Sequence, residues 1–452
     1  MTYQEQNQAR EAVGRLADEG TDVVRVVYPD FFGLDRGRDI PVESLPHVMN
    51  HGLAFCRAVF HTTLLGDVTP VDGGLASGLP DIVVVPDLAT LTPLPWEPGV
   101  AQCIGDARES VDGPMCPDSP RSVLRRVIDH MSELGVVGVV GPELEFFLLR
   151  PDESAPNGWA RYGDHGGNVY MVGRIGDPDS QLLSMLRQIK ALGVHATAAN
   201  HEFAGGQFEI NLLHSEALDA SDRAFRMRAA VKELARVAGL HATFLGKPFN
   251  DEGGSGFHLH ISLVDRSTNR NVMGDPNTED GLSLVAHQAT AGILRHARAL
   301  AALANPTVNA YKRLVPDSLA PFLVDWGLDN RSAMVRIPPE RGESSRLEIR
   351  LGDASANAYL MSAGVLAAMY LGVKDGLSAP PPLEGYGYDP EAAEQLPSSL
   401  SEALDALEAD AALTEVLGEV FVKAYLDFKR AEVARFNAWV TDWELREYVY
   451  HL

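Results

Sequence analysis

At 452 residues, with 45% hydrophobic and 22% charged side chains, the chain has the composition of an ordinary globular protein and the length for two domains. Its formal net charge of -24 argues against nucleic acid and anionic membrane as partners, while a local cationic site would still suit a nucleotide. No apolar run reaches the roughly 18 residues of a membrane span, the N-terminus lacks the basic and apolar regions of a signal peptide, and Cys56, Cys103 and Cys116 have neither disulfide nor zinc spacing, so a reducing cytoplasm is the expected location.

In chain order, residues 4–19 predict a helix stopped by Gly20. Strands are expected over 23–28 and 38–42, with a glycine-containing turn over 30–37. Residues 70–118, rich in Pro, Gly and Asp and with one apolar run over 82–85, predict an irregular connection between domains. Ser119-Pro120 supplies an N-cap and first-turn pair for a helix closed by Gly135. Gly141-Pro142 reads as a turn opening an apolar strand through Leu149. A helix over about 179–192, strands over 194–199 and 207–213, and a long helix over about 219–238 follow. Strands at 241–245 and 257–264, an alanine-rich helix over 281–303, and strands at 333–337 and 346–351 complete the pattern. From about 357 the chain reads as helical. The mixed order predicts an α+β fold rather than a doubly wound sheet.

Four strand segments carry chemistry. In the first, Glu143 and Glu145 are two residues apart and so share one face. Buried neighbouring carboxylates are costly without compensation, and a divalent cation with its preference for oxygen ligands supplies it; an edge strand with solvated glutamates is the plainer alternative. In the second, Gln207, Glu209 and Asn211 share a face, and Glu202 precedes a Gly205-Gly206 turn that can fold it back toward Glu209. In the third, His258, His260 and Ser262 alternate with Phe257, Leu259 and Ile261 after the glycine-rich run Gly253-Gly254-Ser255-Gly256. A histidine pair in that setting suits a metal or an oxyanion. The loop lacks the ending of a Walker A motif and does not match a nucleophile elbow.

In the fourth, Arg346, Glu348 and Arg350 face one way, with Arg313, Arg331 and Arg336 upstream. Alone, this face could neutralise itself at a surface. Arginine also binds carboxylate and phosphate bidentately. Five glutamates, one or two histidines and this arginine set suit divalent metals bridging a polyphosphate, hence an ATP-dependent ligase or kinase.

These segments, in this order and through Gly352-Asp353-Ala354-Ser355-Ala356-Asn357, resemble class I glutamine synthetases over essentially the whole chain. The resemblance implies a small β-grasp domain over 1–112 and a larger catalytic domain over 113–452 with a curved antiparallel sheet and helices. It also implies a dodecamer of two stacked hexamers with active sites between subunits, and ATP with two or three Mg2+ (or Mn2+). Residue by residue, it implies one metal site from Glu145, Glu202 and Glu209 and a second from Glu143, His258 and Glu348. Gly254, Arg313 and Arg350 would hold glutamate; Arg331, Arg336, Arg346, His260 and Ser262 would face the nucleotide; Arg313, Arg331 and Arg350 would act on the reacting groups.

Two departures bear on the nucleophile. The flap after Lys312-Arg313-Leu314-Val315-Pro316 carries Leu319 where the family places a glutamate. The N-terminal segment around Cys56 has no acid between residues 52 and 66, where the family places an ammonium-binding aspartate. An ammonium ion needs a carboxylate for capture and deprotonation. The branch resembled is therefore the γ-glutamyl-amine ligases, including the γ-glutamylpolyamine and γ-glutamylethanolamide synthetases. A small monoamine such as ethanolamine is the expected nucleophile. A polyamine, ordinary glutamine synthesis from ammonia, and a catalytically inactive homologue are the alternatives. In the loop between Ile337 and Arg346, Arg341 is the candidate for the family's basic residue.

Overall fold

The computed structural model describes residues 3–71, 77–155, 157–163 and 165–452. The first sheet is built by residues 23–108. Its strand order is Asp35–Pro41, Val23–Pro29, Val100–Arg108, Asp81–Pro86, Leu53–Cys56, with Thr92–Pro93 alongside Val100–Arg108. The pair Val23–Pro29 and Val100–Arg108 runs parallel; the other pairs are antiparallel.

This sheet corrects the expectation of an irregular connection over 70–118. Val100–Arg108 is a central strand, paired on both sides and mostly buried. With both faces covered it shows no alternation, so its sequence signal is weak. Residues 72–76 of that stretch lie outside the described residues. The short helix Leu45–His51 is also absent from the sequence reading.

The second sheet has the order Trp326–Leu328, Val335–Ile337, Leu347–Ile349, Phe257–Asp265, Val136–Pro151, Gln207–Leu212, Ala196–His201. All its pairs are antiparallel except the one between Trp326–Leu328 and Val335–Ile337. Together with the helices this is the expected α+β architecture. Gly141-Pro142 is not a turn: the strand runs through it from Val136 to Pro151. On one side Pro142 faces Leu259; on the other it falls between the segments pairing at Glu143–Phe147 and at Val139–Val140. A missing backbone donor there interrupts no ladder.

Helices Pro120–Glu133, Ala217–Val237, Leu284–Ala304 and Ala358–Lys374 pack with the second sheet in one continuous core. Leu284–Ala304 and Ala358–Lys374 cross closely enough that a Cβ on Gly292 would meet the Ala368 carbonyl and one on Gly372 the Gln288 carbonyl. The first sheet is tied to helices Pro120–Glu133 and Ala217–Val237 by buried Arg121. Its guanidinium bonds Asp222 (3.0 and 2.8 Å), Asp106 (2.5 Å) and Asp87 (2.9 Å). Removing one partner of such a buried cluster costs roughly 3–5 kcal/mol. Asn357 caps helix Ala358–Lys374 and also donates to the Asp30 carbonyl at 2.8 Å. Among the described residues no helix is long and apolar enough to cross a membrane.

Candidate active site

Strand register concentrates the acidic residues. Glu145 stands opposite Glu209, Glu143 opposite both Asn211 and His258, and Glu348 opposite both His260 and Arg336. Because side chains alternate along a strand, these groups share one face of the sheet. Glu145 and Glu209 are like charges directly opposed, which is destabilising unless something compensates.

The protein compensates in part. Glu145 accepts from Gln207 and from the Gly256 backbone, both at 2.9 Å. Asn211 donates to Glu143 at 2.9 Å and to Glu209 at 3.1 Å, and Asn200 donates to Glu202 at 2.8 Å. His258 Nδ1 lies 3.0 Å and His260 Nε2 3.3 Å from the Glu143 carboxylate. Gln207, Asn211 and Asn200 therefore aim the carboxylates. The sequence pattern placed Gln207 and Asn211 on this face but gave no reason to assign them that task.

The residual charge appears in the acidities. Burial raises the Glu202 carboxyl to about 7, with Glu145 adding to the effect. Burial and the neighbouring Glu143 and Glu145 carboxylates push Glu209 to about 10. Burial works against ionised Glu143, but the hydrogen bonds from His258 and His260 outweigh it and hold this carboxyl well below the usual range. Glu348 is buried too, yet Arg350 and His258 hold it near 2.

The donor set fits a divalent cation on three observations. His258 Nε2 is buried without a hydrogen-bond partner. A Cβ on Gly256 would lie 2.7 Å from that nitrogen and 3.0 Å from Glu145 Oε1, so only glycine keeps the space between them open. Glu202 and Glu209 carry the raised pKa values of carboxylates lacking a counter-charge. Among the described residues no three acidic, imidazole or thiol groups already converge as a finished metal cage. Gly256 is a residue the sequence reading left unassigned, although its place between Ser255 and the histidine strand was the available signal.

Beside the carboxylates lies a buried cationic pocket. Arg313 is buried, its Nη1 has no partner, and burial lowers its pKa from the ordinary value. A buried arginine with free donors calls for an anion. Gly254 lets it approach, since a Cβ there would meet Arg313 Cγ at 2.8 Å. Arg350 bonds Glu348 at 2.6 Å and the Leu319 carbonyl at 3.4 Å.

On the other side of Glu143 opens a cavity of about 670 Å³, lined by His260, Ser262, Arg331, Arg336, Arg346 and Glu348 among others. The expected nucleotide-facing residues thus meet in one space. Arg336 bonds Glu348 (2.5 Å) and Asp329 (2.6 Å). Arg341, the candidate basic residue of its loop, does not line this cavity. Its guanidinium is turned onto the carbonyls of Asp280 (2.6 Å), Glu340 (3.0 Å) and Pro338.

Two predicted residues stand differently. Leu319 sits on the flap, 53% exposed, at a φ of 61°, with Asp317 two residues earlier at 62°. Two non-glycine residues in the left-handed region within three positions mark a strained loop. The flap is braced by Tyr388, which donates to the Ala320 carbonyl (2.9 Å), and by Tyr386, which donates to Asp317 (3.0 Å). Cys56 lies in the first sheet, apart from the residues just described. Its cross-strand partner is Asp81, so tertiary pairing sets an acid beside a segment that has none of its own.

A family model for the catalytic domain of glutamine synthetase matches residues 117–448. The chain belongs to the glutamine synthetase family. It is 34% identical to the glutamine synthetase of Methanocaldococcus jannaschii over 97% of both chains, and 33% identical to that of Halobacterium salinarum over 97% of this chain and 96% of the relative. Among solved structures it superposes on a GmaS–ADP complex, GmaS being a γ-glutamylmethylamide synthetase. The TM-score there is 0.85 at 31% identity, over 97% of this chain and 99% of that one. A structure described as a novel glutamine synthase homolog gives a TM-score of 0.81 at 26% identity, over 95% and 98%. Enzymes of this family use ATP and divalent metal ions on small-molecule substrates and typically assemble as oligomers.

Proposed function

We propose that the chain is an ATP-dependent ligase joining the γ-carboxylate of glutamate to a small organic monoamine, ethanolamine being the single best candidate. The observation that carries this reading is the flap. At the mouth of the buried Arg313 pocket it presents exposed Leu319 rather than a carboxylate. Its one acid, Asp317, is engaged by Tyr386. One acid suits a single ammonium head better than the several charges of a polyamine. Likeness to a γ-glutamylmethylamide synthetase supports the small-monoamine class.

In this reading Glu145, Glu202 and Glu209 hold one divalent ion, and Glu143, His258 and Glu348 another. When bound, the ions neutralise polyphosphate charge. Arg313 and Arg350, with the Gly254 backbone, hold and orient glutamate. Arg331, Arg336, Arg346, His260 and Ser262 hold the nucleotide phosphates in the 670 Å³ cavity. Arg331, with Arg313 and Arg350, stabilises the charge shifting from the γ-phosphoryl group to the glutamate γ-carboxylate. That transfer breaks the bond between the β and γ phosphates and forms γ-glutamyl phosphate and ADP. The amine nitrogen then forms the amide bond, expels phosphate and gives up a proton. The working assembly is a dodecamer of two hexamers, located in the cytoplasm.

Ordinary glutamine synthesis is the second reading. It is favoured by the 34% identity to an archaeal glutamine synthetase and by Asp81 opposite Cys56. Phosphate release from ATP with glutamate, Mg2+ and single amines (ammonium, methylamine, ethanolamine, isopropylamine, putrescine, spermine, aniline) separates the two. Turnover with one organic amine and little with ammonium supports the proposal. Strong turnover with ammonium at low millimolar concentration overturns it.

A further inference from the structure

The loop between strands Val335–Ile337 and Leu347–Ile349 gives the nucleotide cavity a negative rim rather than a positive one. Its one other cation, Arg341, is folded back onto backbone carbonyls. Glu340 instead lines the cavity, and its carboxylate lies 3.0 Å from Arg346 Nη1. Arg346 is also bonded to the Ser344 carbonyl (3.2 Å) and sits 3.3 Å from His260 Nδ1. Glu340 thus occupies the guanidinium edge that a phosphate oxygen would take. Its side chain is 54% exposed, and nothing in the core fixes it there.

We propose that Glu340 is a specificity-determining residue of the nucleotide end, a counter-ion that positions Arg346 before nucleotide binds and selects against nucleotide phosphates not neutralised by metal. This rests on the reading of the cavity as the ATP site. Two physical facts support it. An exposed ion pair is worth only about 0–1 kcal/mol, so a phosphate that binds arginine bidentately displaces it. A carboxylate left on the rim repels a polyphosphate in proportion to its net charge, so the metal-neutralised nucleotide is the form least disfavoured. Arg336 shows the same arrangement with Asp329, an exposed carboxylate on the facing loop at 2.6 Å.

The test is Glu340→Gln in the full-length protein, with ADP and ATP affinity measured by calorimetry at low and high salt, and KM values measured separately. The glutamine keeps the shape and removes the charge. The expected result is nucleotide binding tighter by roughly three- to tenfold at low salt, shrinking at high salt. KM for ATP falls while KM for glutamate stays put. The gain is larger for nucleotide without Mg2+ than with it. Glu343→Gln removes a second rim carboxylate, one paired with exposed Arg270 at 3.4 Å rather than with Arg346, and is expected to change affinity by less than about twofold. Unchanged or weaker nucleotide binding in Glu340→Gln overturns the proposal, as does an equal effect in Glu343→Gln. If the unmodified protein binds no nucleotide under any condition, the ATP reading itself falls.

Discussion

The sheet face and the flap are two sides of one candidate site, built on opposite principles. On the sheet, Glu143, Glu145, Glu209, His258 and Glu348 are fixed by cross-strand register and aimed by Gln207, Asn211 and Arg350. On the flap, Leu319 and Asp317 hold left-handed backbone, and side-chain hydrogen bonds from Tyr386 and Tyr388 brace the loop. On the face proposed to bind metal and phosphate, each side chain has a position set by backbone register, so a substitution there changes the donor set directly. The flap can exchange a side chain at its tip and leave the rest standing. In the proposed function, chemistry common to the family sits on strands, and the choice of nucleophile sits on a loop.

The comparison breaks most sharply on the sheet. Glu209→Gln removes a candidate ligand, and metal affinity by calorimetry should fall by about 100-fold or more, with turnover falling alongside. Retained metal binding would take Glu209 out of the donor set. Gly256→Ala adds a Cβ 2.7 Å from His258 Nε2 and 3.0 Å from Arg313 Nη2. A displacement of that size in a catalytic group is worth on the order of 100-fold in kcat/KM, while circular dichroism should show an intact fold. Arg313→Lys keeps the charge but loses the fork, and KM for glutamate should rise roughly tenfold or more with KM for ATP little moved.

On the flap, Leu319→Glu restores an acid at the mouth. It should raise ammonium-dependent turnover by about tenfold relative to organic-amine turnover, measured as amide product. No change in that ratio would separate the flap from nucleophile choice.

The last expected effect concerns stability. Burial raises Asp325 to about 6, and one of its oxygens has no partner. Its folded pKa lies above the unfolded one, so protonation favours the fold. The penalty is absent below about pH 4, grows as pH rises, and is complete above about pH 6. It amounts to about 3 kcal/mol at most. Asp325→Asn does not titrate, so its stability relative to the unmodified chain should improve as pH rises from 4 to 7 in urea denaturation. A difference independent of pH would mean that Asp325 is not buried as an acid.

Legibility followed the kind of signal each element gives. Glu143 and Glu145, or His258 and His260, could be placed together because a two-residue spacing fixes a shared face whatever the strand's neighbours. Val100–Arg108 could not be recognised, because a strand covered on both faces has no alternation to read. Gly141-Pro142 misled for a related reason. Whether a proline breaks a strand depends on its neighbour at that position, and here the gap between two pairing segments absorbs it. Arg341 was the natural candidate for its loop by residue type, and backbone carbonyls claimed it.

By itself, the sequence determined the inventory and its facing: carboxylates, imidazoles and guanidinia alternating with core residues, in an order that marks the glutamine synthetase family. Pleat geometry alone dictates that much. Only the tertiary structure decided which strands are neighbours and in what register. It put Glu145 against Glu209, set Asp81 beside Cys56, and gave Arg346 to Glu340. Those pairings join residues far apart in the chain, and the free energy of closing them lies in the packing of the whole core rather than in any local segment.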